Sequence, residues 1–162
     1  MATGMQKWSQ TAATNATADS AVNWAEGMAP SAVNDSARAQ MASVAKWRDD
    51  NNGTLVTTGS SSAFTVSSNQ VSTGLTHGYT VALKLHSAAD ASATLNVDSL
   101  GAKQISYNAG TALAGNELHS GDIYRFTYST TGSGEWILNN PVFLLFYLNI
   151  CLRQSRTLLE KP

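Results

Sequence analysis

A chain of 162 residues has room for one ordinary domain and an appendage. Its formal charge of −1 leaves no basic footprint for a nucleic-acid partner, and its single cysteine rules out an internal disulfide framework. Charged residues make up only 13% of the chain, and Ala, Ser, Thr, Gly and Asn fill about half of it, so few large side chains are left for a core and burial between subunits is favoured.

Residues 1–22 are rich in Ala, Thr, Asn and Ser, with Trp8 as the one bulky anchor. They are predicted to be extended, or ordered only against a partner. The first residues lack a basic region followed by an apolar core and a small-residue cleavage site, so no secretory signal is expected and synthesis is cytoplasmic.

Residues 23–53 hold the densest information: NWAEGMAPSAVNDSARAQMASVAKWRDD, from Asn23 to Asp50. Pro30 suits a helix approach, and Ser31, Asn34, Asp35 and Ser36 each carry a short oxygen-bearing side chain able to cap a first turn. Ala37, Met41, Val44 and Trp47 or Arg48 recur at the spacing of an apolar helical stripe, with Arg38, Gln40, Ser43 and Lys46 assigned to the opposite side. The stripe is narrow and Ala-rich, which suits contact with a neighbouring subunit as well as packing within the chain. Asp49 to Gly53 predict the stop, with Gly53 or an Asn in the left-handed conformation.

Residues 54–140 change period. Val81, Leu83 and Leu85 alternate with Ala82, Lys84 and His86; Leu95 and Val97 with Thr94, Asn96 and Asp98; Tyr124, Phe126 and Tyr128 with Ile123, Arg125 and Thr127. Gly, Asn and Ser clusters separate these half-buried strands. The prediction is an antiparallel sandwich or small barrel behind the N-terminal helix, an α+β and mainly β chain. In residues 141–162 the run VFLLFYLNICL is about 11 residues long, against the ~20 that cross a bilayer, so no membrane span is expected. Two readings stay open for it: an element covering an apolar surface, or an extension after a fold that ends near Asn140.

Candidate chemistry is sparse. His77, His86 and His119 have no second His or Cys at ligand spacing and read as strand-end or turn residues. Asp90, Asp98, Glu117, Asp122 and Glu135 are available as a carboxylate pair for sugar hydrolysis, but read as turn and edge residues. No nucleophile elbow is present. No catalytic residue, cofactor or metal ligand is expected, and the chain does not read as an enzyme. Tyr124, Tyr128 and Trp136 offer a stacking surface for a sugar, with core packing as the default for such a strand. Trp8, Trp24 and Trp47 are expected at a partner interface with Pro30, Arg38, Met41 and Val44, because large aromatics anchor interfaces out of proportion to their number.

Trp24-Ala25-Glu26-Gly27, Pro30-Ser31, Val33-Asn34-Asp35-Ser36-Ala37-Arg38, Met41 and Lys46-Trp47-Arg48-Asp49-Asp50 together resemble the N-terminal signature of tail-fibre and related tail proteins of tailed bacteriophages and prophages. The likeness continues through ATLNVDSLGAKQI and the strand ending GEWIL, over most of residues 8–138. It implies a non-enzymatic virion protein, homotrimeric, whose residues 1–53 dock to the tail or to other fibre proteins. Residues 54–140 would then extend outward and support host attachment. The alternative is a carbohydrate-binding module whose β-domain recognises a bacterial surface glycan.

Overall fold

The computed structural model describes residues 4–70 and 73–139; the expectation for 141–162 lies outside them. Residues 4–22 are not extended. Two 3-10 turns, Gly4–Lys7 and Ala12–Asn15, are followed by a bridge between Asp19 and Val22. Short polar side chains make this local order possible. Ser9 and Asn15 exchange two hydrogen bonds, Ser9 N–H to Asn15 Oδ1 at 2.7 Å and Asn15 Nδ2 to the Ser9 carbonyl at 2.8 Å, and the Asp19 carboxylate accepts from the backbone N–H groups of Gly4 and Ala21.

Helix α1 runs Pro30–Asn51. Pro30 takes the first helical position, where its missing N–H costs nothing. The cap is Ala29 in an extended conformation with no side-chain cap bond, so none of the four expected oxygens serves. The stop falls as expected: Asn52 caps the helix and Gly53 is left-handed at φ +83°. Asn51 Nδ2 and Thr54 Oγ1 donate to the last carbonyls, those of Trp47 and Asp49.

Eight strands follow: β1 Leu55–Val56, β2 Thr58–Gly59, β3 Ala63–Val66, β4 Thr80–Lys84, β5 Thr94–Val97, β6 Lys103–Ser106, β7 Ile123–Ser129 and β8 Glu135–Leu138. They form one sheet in the order β1-β4-β7-β8-β6-β5-β3-β2. The pairing is mixed rather than antiparallel. β1 with β4, β3 with β5 and β6 with β8 run parallel, while the other four pairs are antiparallel. Strands β1 and β2 lie at opposite ends of this order, yet only Thr57 separates them in the chain. One short extended segment therefore pairs with both edges and bends the sheet into a nearly closed barrel, which leaves little edge for aggregation. Thr57 is buried at the join: its N–H donates to the Lys84 carbonyl at 3.0 Å, and its hydroxyl oxygen accepts from the His86 N–H at 3.1 Å and lies 2.9 Å from His86 Nδ1.

The predicted alternation holds along β4, β5 and β7. Val81, Leu83, Leu95, Val97, Tyr124, Phe126 and Tyr128 point inward, and Leu85 continues the pattern just beyond β4. With Phe64, Ile105, Leu118 and Trp136 they fill the barrel from within one chain, so its core, contrary to the composition argument, does not wait for a neighbouring subunit. Ala82 faces outward but is buried, because α1 lies against β4. Gly59 adopts φ +95° at the tight β2–β3 turn, and a Cβ there would collide with the Ala63 carbonyl oxygen. Gly59→Ala is expected to lower stability by about 2 kcal/mol, read as a shifted denaturation midpoint at constant slope.

Candidate assembly surface

The helix is held to its own chain by a polar face. Ser36, Ser43 and Asp50 recur every seven residues, two turns apart, and so lie along one line of α1. Ser36 Oγ donates to the Asn23 carbonyl at 2.8 Å and accepts from the Asn23 N–H at 3.2 Å. Ser43 packs where a Cβ on Gly4 would sit, and Gly4 is left-handed at φ +74°. Asp50 is fully buried and accepts from Asn69 N–H at 2.7 Å, Asn69 Nδ2 at 2.8 Å, Gln70 N–H at 3.2 Å and Gln70 Nε2 at 3.1 Å. Ser43, assigned to the far side in the sequence reading, thus belongs to the inward face. The signal lay in the seven-residue spacing of the small polar residues, which a search for apolar periodicity passes over.

Of the apolar stripe, Met41, Val44 and Val33 remain exposed, whereas Trp47, also partly exposed, lies over the barrel beside Tyr79 and Arg125. Met41 is 72% exposed, Val44 and Trp47 46% each, and Val33, which was not assigned to the stripe from its spacing, 43%. Pro30 is exposed at the helix start, and Arg38 is exposed beside Asp35, one turn earlier, with Nη1 4.0 Å from its Oδ1. Such a pair in water contributes little. At the other end Arg48 Nε donates to Asp49 Oδ1 at 2.9 Å; this bond holds the Asp49 carboxyl below its usual range and the guanidinium above its own.

Trp8 and Trp24 come together. They line an open cleft of about 690 Å³ with Ala12, Ala13, Asn15, Ala16, Val22, Glu26 and Gln40. Trp24 is fixed there by its N–H bond to the Ala16 carbonyl at 3.1 Å, and Trp8 by a 3.3 Å bond to the Met5 carbonyl. Glu26 is the single ionisable group in this lining, and the small alanines make it wide. Gln40, assigned away from the stripe, marks the edge of the cleft on α1. Trp47 is elsewhere, over a smaller groove of about 340 Å³ with Met5, Asn51, Gln70, Tyr79 and Arg125. The three tryptophans therefore make two sites, not one.

Tyr124, Tyr128 and Trp136 are core residues, 3%, 7% and 0% exposed. They present no face to a sugar in this fold, because the strand alternation that pairs them also turns them inward. Trp136 stacks at a tilt on Tyr128, with ring centres 5.3 Å apart, and meets Tyr79 edge-on at 6.1 Å. Burial pushes the Tyr124 phenol up, against a donated bond from the His119 N–H at 2.9 Å.

The candidate carboxylates each hold a loop. Asp90 takes the Ser61 hydroxyl, Asp98 the Ser68 N–H and hydroxyl, and Glu117 the Ala114 N–H; Asp122 takes the Tyr124 hydroxyl and Glu135 the Gly110 N–H. The histidines sit at turns and strand ends, His77 at Thr130, His86 at Thr57 and His119 3.9 Å from Asp122. Among the described residues no three His, Cys, Asp or Glu side chains converge on a metal-sized site, and no helix is long and apolar enough to cross a membrane. No family model matches the chain, and no curated protein matches it either.

Proposed function

We propose that this chain is a structural protein of a tailed-phage virion, a tail-fibre or tail-fibre-adaptor subunit made in the bacterial cytoplasm, homotrimeric, and docked to the tail or to another fibre protein through its N-terminal part. The observation that carries the reading is the orientation of α1. A 22-residue helix is tied to the N-terminal segment by Ser36 and Ser43 and to the barrel loop Asn69-Gln70 by Asp50, and leaves Val33, Met41 and Val44 exposed. Each square ångström of that apolar surface left wet costs about 25 cal/mol, so a partner that covers it stabilises the assembly. The residues that carry the resemblance to tail-fibre proteins lie between Trp24 and Asp50, and Val33, Met41 and Trp47 among them are exposed on α1. The barrel, with its own core, is then a rigid support that carries host-attachment functions outward.

Light scattering on the purified full chain at micromolar concentration tests the reading. The expected mass is three times the 17.1 kDa of one chain. A stable 17.1 kDa species overturns it. Met41→Lys, at the most exposed large apolar side chain among the described residues, is expected to shift the population toward monomer while the far-ultraviolet circular dichroism of the barrel stays unchanged.

A further inference from the structure

The Trp8–Trp24 cleft has a wall that restricts what it can hold. Two indoles, Val22 and three alanines make up most of it, and the polar remainder is Asn15, Gln40 and Glu26. Asn15 is committed at both ends of its amide, accepting from the Ser9 N–H at 2.7 Å and donating to the Ser9 carbonyl at 2.8 Å. Glu26 therefore dominates the polar side. No cation lines the cleft among the described residues: Lys7, next to Trp8 in the chain, is exposed and lies outside the lining. The nearby Asp19 carboxylate is taken up by the N–H groups of Gly4 and Ala21.

An uncharged apolar segment would cover the Glu26 carboxylate without bringing it a partner, at a cost in lost hydration. A sugar brings hydroxyls on every side, and a primary ammonium or a guanidinium brings several N–H donors, more than Gln40 and Glu26 satisfy between them. A quaternary ammonium carries a positive charge and no N–H at all. Its methyl groups pack against alanines and against indole faces whose electrons attract the charge, and Glu26 supplies the opposite charge. We propose that Trp8, Trp24 and Glu26 form a binding site for a quaternary ammonium group of the choline type. At about 690 Å³ the cleft falls within the roughly 300–1,000 Å³ of ligand pockets, with room for the headgroup and the first atoms of its carrier. Each copy holds the whole site, so it goes beyond the assembly reading and does not depend on it.

Isothermal titration calorimetry on the full chain at low ionic strength tests the site with three probes. They are choline; ethanolamine, which keeps the charge but carries N–H donors; and the neutral isostere of choline, in which carbon replaces the nitrogen. Choline is expected to bind with a dissociation constant of about 1 mM, and the other two at least about tenfold more weakly. Trp24→Ala is expected to weaken choline by about tenfold or more, Trp24→Phe by less, and the exposed Glu26→Gln by about threefold, whereas Trp47→Ala, in the separate groove, leaves it unchanged. Equal binding of the neutral isostere would reduce the cleft to an apolar surface, and equal binding of ethanolamine would make it a site for any cation. Either result overturns the proposal, as does a folded chain that gives no binding heat with choline at about 20 mM, far above the expected constant. Vesicles of phosphatidylcholine separate the sources of the group, and both outcomes uphold the site: association that free choline displaces places the headgroup in a membrane, and choline binding without association places it on a soluble carrier.

Discussion

Trp136→Ala is expected to unfold the barrel or bring it to the edge of unfolding, with a loss of about 4 kcal/mol. Small domains hold roughly 5–15 kcal/mol in all, so the loss removes a large part of the total. The indole is fully buried on β8, beside Tyr128 on β7 and Tyr79 just before β4. Its removal therefore leaves a cavity at the meeting of three strands, and the two tyrosines lose their aromatic partner. Urea denaturation followed by far-ultraviolet circular dichroism is the measurement. Trp136→Phe supplies the contrast. The Trp136 Nε1 has no hydrogen-bond partner among the described residues, so phenylalanine removes an unsatisfied buried donor along with some volume, and the variant is expected to stay folded. If Trp136→Ala were as stable as the parent, the side chain would have to lie at the surface. A sugar-stacking role, excluded by its burial, would then be open again.

What could be read from the sequence was decided by local physics. The inward alternation of β4, β5 and β7 is visible because side chains alternate strictly along a strand, whatever the strand pairs with. The pairing itself is not visible in that way. Because Leu55–Gly59 runs in one direction along both edges of the sheet, the seven pairs cannot all be antiparallel, and nothing in LVTTG announces that two residues on either side of one threonine belong to opposite ends of an eight-stranded order. The end of α1 was legible because Asn52-Gly53 is a strong local stop; its start was not, because Ala29 caps it by backbone conformation alone. The helix stripe was recognised, but which face points inward was undecided. Apolar periodicity says where an apolar face is, and only tertiary contacts say what covers it. Here the chain covers the polar line Ser36–Ser43–Asp50, the reverse of the usual arrangement in a monomer. Likewise Trp8 and Trp24 could be named as anchors from their rarity, whereas the separation of Trp47 into a second groove depends on where the helix lands on the barrel.

The inverted helix makes Asp50 the residue on which its placement depends. Asp50 is the last buried position of α1, and its carboxylate binds both the backbone and the side-chain amides of Asn69 and Gln70, in the loop after β3. Asp50→Ala deletes the acceptor and leaves the buried Gln70 N–H and amide without it, together with the more exposed donors of Asn69, at an expected cost of about 3 kcal/mol. Asp50→Asn keeps one carbonyl acceptor but brings an amide donor against donors, and should recover less than half of that. The stability loss alone would not separate Asp50 from Trp136; the location does. Loss of Trp136 should speed hydrogen exchange throughout β4, β7 and β8. Loss of Asp50 should speed it first in α1 and around Asn69, with the barrel strands protected until global unfolding. A helix freed from the barrel no longer fixes the direction of Met41 and Val44. Under the proposed trimeric assembly, the Asp50→Ala chain should therefore also lose the trimeric mass, at a temperature where its barrel is still folded. Retention of both the α1 protection and the trimer would show that the stripe contacts, rather than the Asp50 anchor, set the position of the helix.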